Sequence, residues 1–376
     1  MKYGDEVMNL NKNVIERNKE GRSSNFELLR IICMLLILAY HYCIHGNHHS
    51  IFTTDFSLNQ VIAVIFGSWG LLGVDCFIFI SAYFLIGTQR FRTKKVVMLL
   101  FQCSFYSTAL AIIMLLFHKT ELSRQDILES VFSPAYNLYW FVTAYCLLYT
   151  IYPFLNKIIN GISVRTLGRF LIVLTLFIPV YHVFIEDAPI DAFLFFIYLY
   201  LLMGYLKQTP GNWFEVHAGK GFLFTTLFIV FYGIANSAAG TFLHLEVLQE
   251  HAFRFATRYS PLMVLDAIFL FYLFQKLNIG VSKTINTLAS ATLGIYLFHE
   301  YPYARSLLWD GLLKVKEVYY TKSFFLCLLL SVICLYVIGT FIDLLRRHLL
   351  EQPLLRLRFE AGEKLCSKLD AWINGI

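Results

Sequence analysis

Ten apolar stretches, separated by short polar loops, leave this chain few ways to fold. They fall at about 26–44, 60–87, 96–117, 137–157, 170–186, 191–206, 221–238, 261–278, 286–300 and 323–344. A helix that crosses a bilayer needs ~20 predominantly apolar residues, and inside hydrocarbon every backbone polar group must be satisfied within the protein. Composition agrees. Of 376 residues, 58% are hydrophobic and only 15% charged, against about 25% charged in ordinary soluble domains. The 36 Phe and 23 Tyr exclude a disordered chain, which is poor in aromatics. A soluble globule could not hide this much apolar surface. The expected fold is an all-α polytopic membrane protein of about ten transmembrane helices. The fifth, sixth and ninth stretches are the shortest.

Lys and Arg set the orientation, because cytoplasmic loops retain them. With the N-terminus inside, 22 of the 31 basic residues lie on the inner side, 8 lie outside and Arg30 lies within a helix. Both termini are therefore expected in the cytoplasm, the chain being a multi-pass protein of the plasma membrane. The formal net charge of +6 follows from this bias and gives no case for nucleic-acid binding. Three parts are expected: a polar cytoplasmic tail at 1–25, a membrane domain at 26–344, and a basic amphipathic tail at 345–376 carrying Arg346, Arg347, Arg356 and Arg358. No apolar segment with a cleavage site marks a removable signal peptide. None of the eight cysteines has a partner at zinc spacing, so no metal centre is expected from them.

Ionisable groups within the spans are costly, at least ~2.5–3.5 kcal/mol near a helix centre, so each calls for a reason. They are Arg30, His41, Asp75, His182, Asp266, His299 and Glu300. Arg30 and His41 are eleven residues apart. Eleven steps of about 100° return to within ~20° of the start, about 16 Å further along the axis. One helix face thus carries a fixed cation at one level and a titratable imidazole at another, as a polar passage across the membrane would. Gly70, Gly73 and Ser81 in the second stretch permit close helix approach, which turns Asp75 toward the bundle. Directly after it come Arg90, Arg92, Lys94 and Lys95, a cationic cluster suited either to phosphate groups or simply to the inner surface.

Taken in order, these pieces resemble the acyltransferase 3 family of integral-membrane O-acyltransferases. Its Arg-x10-His hallmark reads here as Arg30 … His41. Gly73-Val74-Asp75-Cys76-Phe77-Ile78-Phe79-Ile80-Ser81-Ala82-Tyr83-Phe84 is similar to its Gly-Val-x-x-Phe-x-x-x-Ser-Gly-Tyr/Phe element. Tyr139-Trp140-Phe141 and Leu293-Gly294-Ile295-Tyr296-Leu297-Phe298-His299 resemble its middle and late elements. The likeness covers about 23–345. Two positions depart from it: Ala82 stands where the family has Gly, and the family's Arg-x-x-Arg reads Arg92-x-x-Lys95. Lys keeps the charge but not the bidentate fork.

The resemblance implies transfer of an acyl group, usually acetyl, from cytoplasmic acyl-coenzyme A to a hydroxyl of a surface or lipid-linked carbohydrate. The acyl-coenzyme A acts as donor co-substrate, and no permanently bound cofactor is implied. The polyanionic nucleotide end of coenzyme A suits Arg30 and the cluster Arg90, Arg92, Lys94 and Lys95. Its thin, nearly uncharged arm suits a narrow passage toward His41. An imidazole titrates near neutrality, so His41 can act as general base on the acceptor hydroxyl or carry the acyl group itself. His299 and Glu300 are candidates for orienting His41 or the acceptor, and Tyr139 and Trp140 for stacking on a sugar ring. A transporter or flippase of a glycolipid would use the same intramembrane charges, but repeat symmetry and broken helix pairs are missing from the pattern. A polysaccharide polymerase or ligase would carry a larger outer loop.

Overall fold

A computed structural model describes residues 23–53, 56–88, 90–117, 122–185, 191–353 and 360–375. Residues 1–22, Arg356 and Arg358 lie outside these. The protein is all-α, with no strand among the described residues. The first apolar stretch forms α1, Ser24–Thr53. The second forms two helices, α2 (Leu58–Gly67) and α3 (Gly70–Leu85). Then follow α4 (Thr93–Phe117), the short α5 (Arg124–Val131), α6 (Trp140–Gly161) and α7 (Val164–Thr175). After these come α8 (Ala192–Gln208), α9 (Ala218–Leu243) and α10 (Pro261–Lys276). The chain closes with α11 (Lys283–Ser290), α12 (Thr292–His299), α13 (Phe324–Arg346) and α14 (Glu360–Asn374).

Seven helical runs among the described residues are long and apolar enough to cross a membrane. They coincide with the first, second, third, fourth, fifth, seventh and tenth expected spans. The sixth and eighth are single helices of 17 and 16 residues. The fifth is longer than its sequence suggested. α7 continues through a π-turn at Leu176–Val180 and a last turn at Tyr181–Phe184, which together make a 21-residue run. The wide turn sits at Pro179, whose ring clashes with the preceding turn and which has no N–H to donate. The tenth runs past 344 through Arg346 and a further π-turn at Arg347–Glu351.

The ninth span divides at Ala291. Ser290 Oγ donates to the Thr287 carbonyl (2.7 Å) and Thr292 Oγ1 to the Ala289 carbonyl (2.9 Å). Hydroxyls on both sides of the break thus supply local hydrogen bonds that compete with the helical ladder. Irregular backbone at membrane depth is tolerated where it is enclosed in protein or lines a cavity, and Ser290 and Thr292 do line one.

α1 is the hub. It contacts α2, α3, α10, α11, α12 and α13, most extensively α3. The absence of side chains at two glycines sets that contact. A Cβ at Gly73 would lie 2.7 Å from the Cys33 carbonyl oxygen, and one at Gly70 would enter the Tyr40 ring. The start of α1 is tied down by polar contacts: Ser24 Oγ donates to Asn286 Oδ1 (2.9 Å) and Asn25 Nδ2 to the Phe274 carbonyl (2.9 Å). The outward faces of α9 and α13 carry exposed Phe224, Phe231, Ile333 and Phe341, the surface a lipid environment favours.

Candidate active site

Two cavities run along the face of α1 that carries Arg30 and His41. One, of about 360 Å³, is lined by Tyr40, His41, Trp140 and Tyr296 among others. The second, of about 600 Å³, is lined by Lys94, Lys95, Tyr149, Arg346, Arg347 and Glu351 among others. Arg30, Ser81, Leu99, Tyr145 and Ser290 line both, so the cavities meet at a neck with a guanidinium in its wall. Arg30 is held from its own helix, Nη1 donating to Glu27 Oε1 at 2.8 Å. The eleven-residue spacing thus places both residues along one route through the first cavity, where Met34 and Ile37 line the wall between them.

At the far end of the route His41 Nδ1 lies 2.8 Å from His299 Nε2 and 3.2 Å from Glu300 Oε1. His299 Nδ1 is 2.7 Å from the Ile295 carbonyl. A carbonyl only accepts, so Nδ1 of His299 carries the proton and its Nε2 offers a lone pair. The Nδ1–H of His41 donates to that lone pair. Its Nε2 is then the unprotonated nitrogen of a neutral ring. Glu300 is buried, and its other oxygen accepts from Arg305 Nη2 at 2.8 Å. His45 joins the cluster, with Nε2 3.0 Å from Glu300 Oε1. Sequence reading stopped the first span at 44 and missed it. The available signal was its position four residues after His41, on the same helix face. Trp309, buried beside His299 with ring centroids 6.4 Å apart, closes the cluster from another segment.

The other expected site residues divide. Lys94 and Lys95 line the second cavity, whereas Arg90 and Arg92 are exposed and line neither. Their segment is instead clamped by α14: Asp370 Oδ1 accepts from Thr93 N and Asn374 Oδ1 from Phe91 N. Trp140 lines the first cavity, and the Arg258 guanidinium sits 3.6 Å from its ring centroid, a cation–π arrangement. Tyr139 does not reach either cavity. It is buried and its hydroxyl donates to the Leu297 carbonyl at 3.0 Å, a strut between α6 and α12. Asp75 is fully buried and faces the bundle. Asp266 is satisfied by Thr225 and Thr226 hydroxyls at 2.5 and 2.9 Å.

Arg346 and Arg347, read from sequence as part of a surface tail, belong to the second cavity. Both are organised by Asp343, which is fully buried: Arg346 Nε lies 3.1 Å from Asp343 Oδ1 and Arg347 Nη2 2.6 Å from Oδ2. Gln102 and Tyr106 also donate to Asp343, at 3.1 and 3.0 Å. Arg347 also bonds Ser290, through Nη1 to Oγ at 2.8 Å and through Nη2 to the carbonyl. The broken span therefore presents a carbonyl that a helix would have used, and a cation takes it. Gly294 follows from the same packing, because a Cβ there would collide with the Asp343 carboxylate.

A bundle of apolar helices around two adjoining cavities, with cations at one end and paired imidazoles at the other, defines a multi-pass membrane protein with an ionisable site in its interior. The chain belongs to the acyltransferase 3 family: the family's profile, described as an acyltransferase domain, matches residues 23–342. It is thus a membrane acyltransferase. No curated protein and no solved structure matches the chain.

Proposed function

We propose that the protein transfers an acyl group, acetyl by default, from cytoplasmic acyl-coenzyme A to a hydroxyl of a surface or lipid-linked carbohydrate. The observation that carries this reading is the shared neck of the two cavities, which joins five cations to one imidazole. Arg30, Lys94, Lys95, Arg346 and Arg347 surround the basic chamber and suit the phosphates of coenzyme A, arginine as a planar fork and lysine as a point charge. The slender arm of the donor passes Arg30 at the neck, and its thioester comes to rest beside His41. Both termini are cytoplasmic in this reading.

His41 Nε2 then accepts the proton of the acceptor hydroxyl as that oxygen attacks the thioester carbonyl. Collapse of the tetrahedral intermediate breaks the carbon–sulfur bond, and the imidazolium returns its proton to the departing thiolate. His299 and Glu300 act through His41. The first fixes its tautomer, and the second faces Nδ1 with a negative charge when the ring becomes cationic. Trp140, in the wall of the same chamber, supplies an aromatic surface to the sugar.

Purified protein supplied with acetyl-coenzyme A and surface glycan tests this. Release of coenzyme A thiol together with a new ester on the glycan is expected. His41→Ala should remove the release, by ~10²–10⁴-fold as for loss of a general base, while leaving insertion and thermal unfolding unchanged. Full turnover in His41→Ala would overturn the assignment. A transporter would move glycan without consuming the donor.

A further inference from the structure

The outer cluster has the makings of a second kind of site. His41 Nδ1, His299 Nε2 and Glu300 Oε1 all lie within 4.8 Å of one another, two of the separations being 2.8 and 3.2 Å. Zinc binds imidazole nitrogen at ~2.0–2.1 Å and carboxylate oxygen at ~2.0–2.2 Å in a tetrahedron, which sets neighbouring donor atoms about 3.3 Å apart. Opening the His41–His299 pair by about 0.5 Å would meet that requirement. The supporting contacts are already in place. The Ile295 carbonyl fixes the His299 tautomer at 2.7 Å, and Arg305 holds the second Glu300 oxygen at 2.8 Å. Outer contacts of this kind orient metal ligands and raise their basicity. His45 Nε2, 3.0 Å from Glu300 Oε1, stands outside this set of mutually close donors.

We propose that His41, His299 and Glu300, with a water in the fourth position, form a binding site for a zinc-class divalent cation, and that filling it stops acyl transfer. The proposal's inhibitory half rests on His41 acting as proposed above. The ion, taken from solution, accepts lone pairs from His41 Nδ1, His299 Nε2 and Glu300 Oε1. A neutral imidazole has one ring proton. With Nδ1 on the metal, that proton moves to Nε2, the nitrogen that must be bare to accept a proton or an acyl group. No electron transfer and no further reactant are involved. The cation occupies the place of the shared His41–His299 proton, so the site is either a working base or a metal site.

The test uses full-length protein in detergent, stripped with a chelator and titrated with Zn²⁺ against a chromophoric indicator and with Co²⁺ by visible absorption. One ion per chain is expected, with the intense Co²⁺ bands of four-coordination. His299→Ala and Glu300→Gln should each weaken Zn²⁺ binding at least tenfold, and His217→Ala, which alters an exposed histidine, should leave it unchanged. Micromolar Zn²⁺ should lower acyl transfer at least tenfold in the native protein and in His217→Ala, and chelator should restore it. Equal Zn²⁺ affinity in His299→Ala and the native protein would overturn the site. Stoichiometric binding without loss of rate, or a stripped enzyme that needs Zn²⁺ to work, would overturn its inhibitory role. Stripped protein that binds Zn²⁺ as described but never consumes acyl-coenzyme A would sink the proposed reaction and leave the cation site standing.

Discussion

At the scale of single residues, the decisive contact is between two rings 258 positions apart in sequence, His41 and His299. Its role in fixing a tautomer can be separated from mere packing. His299→Gln offers His41 an amide oxygen as acceptor, whereas His299→Leu of similar bulk offers none. We expect His299→Gln to retain at least tenfold more turnover than His299→Leu. Equal rates in initial-velocity measurements would refute the tautomer argument. Arg30 and His41 were legible in the sequence because helical periodicity alone puts residues eleven apart on one face. His299 and Glu300 stood out as ionisable groups at the end of a span. Their union with His41 was not legible, since no local rule links distant segments. Trp140, expected to stack on a sugar ring, lines the first cavity, whereas Tyr139, the non-helical residue just before α6, is buried and serves as a strut.

Secondary-structure elements show a similar division. The apolar stretches located the helices well. Periodicity could not show that the ninth stretch breaks at Ala291, because a hydroxyl-rich break looks like any short span until its carbonyls find partners. Cations at the end of a span usually face headgroups, so sequence alone places Arg346 and Arg347 in a tail. The burial of Arg346 and the anchoring of Arg347 depend on Asp343 and on the absence of a side chain at Gly294. Gly294→Ala should therefore displace the Asp343 carboxylate and cost ~1–3 kcal/mol, the usual penalty of overpacking. A fall in the midpoint of thermal unfolding, with weaker donor binding, would show it; an unchanged midpoint would mean that the helices separate freely there. In the same region Arg347→Gln should raise the donor KM about tenfold, the effect of one lost charged contact. Arg92→Gln, on an exposed side chain outside the chamber, should change it less than twofold. Titration of rate against acetyl-coenzyme A measures both.

For the molecule as a whole, the proposed chemistry demands that its two chambers open toward opposite sides of the bilayer. The distribution of Lys and Arg favours Lys220 inside and Lys316 outside. With the native cysteines replaced, Lys316→Cys should react with an impermeant maleimide in intact cells, and Lys220→Cys only after permeabilisation. Labelling of both from outside would contradict the expected orientation. The hydrophobic exterior and the all-α fold were plain from composition and run length. The route through the interior was only half visible, because sequence patterns specify which faces are polar but not which faces meet.

Arg347 is also a mechanical part. One guanidinium holds the Ser290 carbonyl at the break and also faces the basic chamber. Eight residues beyond Ala291, the helix that starts there ends in His299. An anion that drew Arg347 away would loosen the pivot on which that helix hangs, so a tug at the entrance would be felt at the opposite threshold. Linkage makes such an influence mutual: whatever steadies the distant imidazole also keeps Arg347 on its carbonyl and weakens its hold on an anion at the door.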